Sequence, residues 1–125
     1  AAAESASRTE PGSPVVRVPL ICLIDYLGYR LIAESFLPIS ADTLVYGSAD
    51  VGQTVHDDDP ELSAQLGRIA RHLNLKPHVT GFGAGQRTLA FPGDAEGHRG
   101  TDGRCYMVDL ARLLPPEAPA KFVFG

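Results

Sequence analysis

The sequence predicts an α+β domain, a mostly antiparallel sheet with one main amphipathic helix packed on one side, and three observations carry that expectation. Val15 to Asp25 and Tyr29 to Leu37 are nearly continuous in apolar and β-branched residues and flank Asp25-Tyr26-Leu27-Gly28, the pattern of a β-hairpin. Leu62, Leu66, Ile69, Ala70 and Leu73 recur at helical spacing behind the helix-start signal Asp59-Pro60. Gln86 to Phe91 and Arg104 to Asp109 read as further short strands set between Gly- and Pro-bearing turns.

In chain order, residues 1–14 are rich in Ala, Ser, Gly and Pro with scattered charge, a linker composition that buries too little to offset the entropy of ordering. Residues 15–125 are expected to form a single domain, a piece of a larger protein. The hairpin strands are too apolar to leave one face in water, so cover on both faces is expected. Pro38 closes the second strand, and Thr43 to Tyr46 is a short apolar run. Gly47-Ser48-Ala49-Asp50 and Gly52 mark a turn, read either as one closed by Asx-type hydrogen bonds or as one in which Ser48 and Asp50 present polar groups to a ligand, without phosphate-loop spacing, and Gln53 to His56 is a further short strand.

Asp57-Asp58-Asp59-Pro60-Glu61 is the best helix start in the chain. Asp59 caps, Pro60 takes the first helical position, and the acidic cluster complements the positive helix end. Three consecutive carboxylates cannot both converge with His56 on one ion and cap a helix, so no metal site is assigned here. The helix should end near Asn74, with Pro77 preventing extension. Gly81-Phe82-Gly83-Ala84-Gly85 is a loop, and it lacks the strand-before, helix-after context of a dinucleotide fingerprint. After Pro92-Gly93-Asp94 a Gly- and charge-rich loop leads through His98. Leu110 to Leu114 makes one helical turn that Pro115-Pro116 stops, and Phe122-Val123-Phe124 either adds a last apolar strand or meets a neighbouring domain.

At 125 residues, with 44% hydrophobic and 21% charged residues, the chain has the size and composition of one globular domain. A net charge of −4 gives no broad cationic footprint for a phosphate backbone. No apolar run reaches the length of a transmembrane helix, so no membrane insertion is expected. Cys22 and Cys105 both lie in apolar runs, where a small buried thiol is at home, and the reading is a reducing compartment. The four His and two Cys show no zinc-ligand spacing, and no cofactor is assigned.

The closing stretch holds the residues of most interest. Asp102-Gly103 is a tight-turn signal, and Asp109 is the one charge in the run Cys105 to Leu110. His98, Asp102, Arg104, Asp109 and Arg112 are the candidate binding residues. In the bracing reading Arg104 or Arg112 pairs with Asp109, Asp102 makes the turn and His98 hydrogen-bonds a loop carbonyl. In the functional reading all five line one pocket mouth and bind an anionic or metal-bearing ligand.

The same stretch carries a family resemblance. Glu96-Gly97-His98, Gly100-Thr101-Asp102-Gly103-Arg104, Tyr106, Val108-Asp109 and Ala111-Arg112 before Pro115-Pro116-Glu117 resemble the closing motif of the CLU domain of clustered mitochondria proteins. Asp25-Tyr26, Gly28 to Ala33, Leu37-Pro38-Ile39, Thr43 to Ser48, Asp50 and Leu73 to His78 follow that domain's other motifs in order, so the resemblance spans about Pro19 to Glu117. It implies a cytoplasmic, non-catalytic module of a large protein that governs mitochondrial distribution and associates with mRNAs for mitochondrial proteins. Its partners would be the other domains of the parent protein and, through the full-length protein, mRNA or ribonucleoprotein.

Two alternatives stand beside this reading. His72-Leu73-Asn74-Leu75-Lys76-Pro77 is similar to the protein-kinase catalytic-loop motif, which implies a degenerate kinase-like nucleotide-binding scaffold. Asn74 stands where the proton-accepting Asp should be, and an amide has no useful basicity at neutral pH. The other alternative is direct RNA binding, which requires Arg17, Arg30, Arg68, Arg71, Arg87, Arg99 and Arg104 to share a face.

Overall fold

The helix start places the first element as expected. Asp59 is extended and its carboxylate accepts from the Leu62 amide at 3.0 Å, with Pro60 at the first helical position of α1 (Pro60–His72). Leu62, Leu66 and Ala70 are buried on one face and Ile69 packs against them, whereas Leu73, past the helix end, is half exposed. Fully burying a Leu contributes about 2 kcal/mol, so this stripe holds the helix in place. The computed structural model describes residues 15–114. The linker 1–14, the stop at Pro115-Pro116 and the Phe122-Val123-Phe124 run therefore lie outside the described residues.

The strands are β1 (Val16–Arg17), β2 (Ile21–Tyr26), β3 (Tyr29–Glu34), β4 (Leu44–Gly47), β5 (His56–Asp57), β6 (His78–Thr80), β7 (Arg87–Leu89), β8 (Glu96–Arg99) and β9 (Cys105–Val108). With one α-helix among the described residues, the class is α+β, as expected. The strands form three sheets rather than one. A five-stranded sheet runs in the order β1-β9-β8-β4-β5, and β2-β3 and β6-β7 are separate two-stranded sheets. Pairing is antiparallel except between β1 and β9, where Val16 lies opposite Cys105.

The central strand β8 lies where a loop was expected. Glu-Gly-His-Arg has no β-branched or aliphatic residue, and what qualifies it is space: a Cβ on Gly97 would lie 2.8 Å from Tyr46 Cβ and 3.1 Å from both Leu62 Cδ2 and Met107 Sδ. Only glycine lets this strand, β4, β9 and α1 approach so closely. Around that point Tyr46, Leu62, Leu66, Leu89, Phe91 and Met107 form the core. Tyr46 crosses it, packing edge-on against Phe91 with ring centroids 6.5 Å apart and accepting the Ala90 and Phe91 amides on its hydroxyl. Burial pushes the Tyr46 hydroxyl pKa up, against the effect of those two bonds.

The hairpin forms as expected but its surroundings do not. All six residues of β2 and all six of β3 are exposed, so the anticipated cover on both faces is not supplied by the described residues. Cys22 is accordingly exposed, not buried, while Cys105 is buried, and both thiols are free. At its base, the Ser35 amide donates to the Leu20 carbonyl at 2.9 Å and the Leu20 amide to the Ser35 hydroxyl at 3.0 Å.

Candidate functional site

The five candidate binding residues occupy separate places. His98, on β8, is 4% exposed, with Nδ1 3.1 Å from the Thr43 hydroxyl and Nε2 3.3 Å from the Glu96 carboxylate. Its partners are side chains on strands or beside them, not the loop carbonyl expected. Asp102 makes the β8–β9 turn as expected, accepting from the Arg104 amide at 3.1 Å and from the Tyr106 hydroxyl at 2.8 Å. Burial alone would raise the Asp102 carboxyl, but those bonds and the Arg104 charge hold it below the ordinary carboxylate range; the same bond raises Tyr106. Gly100 and Thr101 fasten this turn beneath Pro38, with the Thr101 amide 3.0 Å from the Pro38 carbonyl.

The expected guanidinium partner of Asp109 is not there. Arg104 lies 3.7 Å from Asp102, and Arg112 pairs with Asp94. Asp109 itself is exposed, adopts the left-handed conformation with φ 56°, and opens the 3-10 turn Leu110–Leu113. An exposed carboxylate is solvated by water and requires no ion pair, and Asp is one of the few residues that tolerate this backbone region. Asp109 lines a shallow groove of about 220 Å³ with Val18, Pro19 and Ile21, away from His98. The single pocket mouth of the functional reading is therefore absent among the described residues.

Sequence reasoning missed the pair that does tie two elements together. Arg99 donates from Nε (2.8 Å) and Nη2 (2.6 Å) to Asp59 Oδ2, and reaches Glu61 at 3.4 Å, so the helix cap is also an anchor to β8. Burial opposes the charged Asp59 carboxyl, yet the Leu62 amide and Arg99 pull its pKa below the usual value, and Asp59 in turn raises Arg99. The signal was the acidic cluster itself, whose partner lies 40 residues away.

The other loops follow the bracing pattern. The Ser48 hydroxyl donates to Asp50 at 2.9 Å and accepts from the Gly52 amide at 2.9 Å, and Asp50 accepts from the Thr54 amide at 2.8 Å, which is the Asx-type turn expected. His56 pairs with Asp58 at 2.7 Å and Ser63 donates to Asp57, so the acidic run is internally occupied. Among the described residues no group of three His, Cys, Asp or Glu could hold a metal ion.

The two alternatives fare differently from the resemblance. Asn74 is left-handed, φ 59°, just past α1; its amide donates to Arg71 at 3.3 Å and the Leu75 amide to Ala70 at 2.8 Å. These are the two bonds of a Schellman cap, with Leu75 packed on the core and Pro77 following. The motif similar to a kinase catalytic loop is a helix terminus. Of the seven arginines, Arg17, Arg99 and Arg104 share one depression of about 270 Å³, but Glu61 lies in it and Arg99 is paired. Arg30 is on the hairpin, bound to Asp25 at 2.8 Å. A cleft of about 390 Å³ lies elsewhere, between Val51, Thr80, Phe82 and Pro92, with the Asp94–Arg112 pair on its lining.

This arrangement defines an α+β module whose polar side chains tie loops and strands together and whose β2–β3 hairpin leaves apolar side chains exposed among the described residues. The family model described as "Clustered mitochondria" matches residues 3–119. The chain belongs to that family. Among curated relatives it is 36% identical over 101 residues to a clustered mitochondria protein homolog of Culex quinquefasciatus, covering 76% of this chain and 7% of that protein. It is 36% identical over 106 residues to the homolog of Caenorhabditis briggsae, covering 78% of this chain and 8% of that protein. It is 38% identical over 103 residues to protein clueless of Drosophila willistoni, covering 76% of this chain and 7% of that protein. No solved structure matches. The chain thus spans less than a tenth of the length of these relatives. Among the described residues no helix is long and apolar enough to cross a membrane.

Proposed function

We propose that the chain is a non-catalytic interaction module of a clustered-mitochondria-type protein that acts in the cytoplasm on mitochondrial distribution, and that the association with mRNAs for mitochondrial proteins belongs to the full-length protein. The observation that carries this reading is the use made of the polar groups. Asp59 with Arg99, Asp94 with Arg112 and Asp102 with Tyr106 each brace the fold. The names of these relatives, clustered mitochondria protein homologs, support the cellular part of the proposal. His98, Asp102, Arg104 and Arg112 act in this reading as supports of the closing segment, and Asp109 as the left-handed residue that opens its 3-10 turn.

The test is complementation. In cells depleted of their clustered mitochondria protein, the full-length protein restores an even mitochondrial distribution and one lacking residues 15–114 does not; full restoration by the deletion overturns the proposal. The isolated chain gains no thermal stability with rising ATP and magnesium and shows no salt-dependent retention on single-stranded RNA. Ligand-dependent stabilisation would favour the nucleotide-binding alternative, and steep salt dependence the RNA-binding one.

A further inference from the structure

Both faces of the hairpin β2–β3 expose apolar side chains, one face without charge and the other with charges at its two ends. Its register places Leu23 opposite Ile32 and Ile21 opposite Glu34 on one face, which ends in the Asp25–Arg30 pair; the other carries Cys22 with Ala33, Ile24 with Leu31 and Tyr26 with Tyr29, and bears no charge. Leu23 is 60% and Ile32 72% exposed on the first face, Leu31 55% and Tyr29 72% on the second. A two-stranded hairpin alone is marginally stable in water, and contiguous apolar surface of this kind marks an interaction site. The Asp25–Arg30 pair lies at the turn end of that face and Glu34 at its base, so these charges flank the Leu23–Ile32 pair and stay in water at the rim of a contact.

We infer that β2–β3 is a docking tongue, held between two apolar walls supplied by the adjoining parts of the same polypeptide. Two observations select this occupant. Both faces need cover, and a two-fold contact with a second copy buries the same patch on each protomer, leaving the opposite face wet. The matched relatives are proteins of which this stretch is only 7–8%, so in them it is joined to a chain many times its own length. The assignment deepens the proposed role as an interaction module and rests on it only for the family, not for any cellular activity.

Amide hydrogen exchange tests it in the full-length polypeptide that carries this stretch, with the 125-residue chain as comparison. The expected result is exchange at Ile24 and Leu31, a pair whose amides bond across the hairpin, at least 100-fold slower in the full-length protein than in the isolated chain. Leu23→Asp with Ile32→Asp on one face, and Ile24→Asp with Leu31→Asp on the other, should each remove that protection while leaving Leu66 and Met107 unchanged. Equal exchange in both proteins overturns the inference, as does protection that grows with concentration in the isolated chain, which would mean a second copy. Sensitivity of one face alone also overturns it, since a tongue between two walls needs both. Exchange reports docking whatever mitochondria do, so its failure is distinguishable from failure of the complementation test.

Discussion

Replacing Asp59 separates its two roles, because one oxygen caps α1 and the other holds Arg99. Asp59→Ala removes both. A lost helix N-cap costs about 1 kcal/mol. A charge-assisted hydrogen bond contributes about 1.5–3 kcal/mol, but the Arg99 side chain is one-third exposed and keeps Glu61 at 3.4 Å, which reduces that loss to about 1 kcal/mol. The expected total is about 2 kcal/mol, a fall in Tm of about 10 °C for a domain of this size. Asp59→Asn keeps an acceptor for the Leu62 amide and loses the pair, so about half of that effect is expected. The assay is thermal and urea unfolding followed by far-UV circular dichroism. The sign of the pH dependence follows from the depressed carboxyl: its contribution is present above the unfolded-state pKa of about 4 and is lost as pH falls through the lower folded-state value. The gap between the native protein and Asp59→Asn is therefore full at pH 7 and closes in acid. Equal losses in the Ala and Asn variants, or a gap that widens below pH 4, would refute the division of labour.

Gly97→Ala should destabilise by about 1–3 kcal/mol through overpacking against Tyr46, Leu62 and Met107, read as a lower urea midpoint at unchanged slope. Asn74→Gly should hold or raise Tm, while Asn74→Ala should cost about 1 kcal/mol, because the left-handed Schellman position penalises a Cβ that lacks an amide. A chromogenic disulfide reagent should titrate one thiol, Cys22, in the native chain and two in urea, since burial both hides Cys105 and pushes its thiol pKa up. Rapid labelling of both thiols without denaturant would contradict the burial of Cys105.

Legibility in the sequence tracked how local each determinant is. The helix was readable because cap, proline and apolar spacing all lie within sixteen residues of one another, and Ser48 with Asp50 because a turn closes on itself. β8 was not, since its qualification is the absence of a side chain at Gly97 against groups on three other elements. The ion pairs were misassigned for the same reason: nearness in sequence suggested Asp109 for Arg112, whereas the fold supplies Asp94. The hairpin was legible as strands that want cover on two sides, but nothing in its own residues says who provides it. The candidate site was legible only as a set of polar residues, because convergence is a property of three dimensions.

The parallel pairing of β1 with β9 also sets an order of events during synthesis. Val16 meets its partner only once Cys105 has left the ribosome, so the five-stranded sheet closes late, whereas β2 and β3 are neighbours in sequence and can join within microseconds. A nascent chain of this family therefore exposes these apolar strands, forming and fraying as a hairpin, for seconds before the sheet can close, which makes them an expected early client of chaperones.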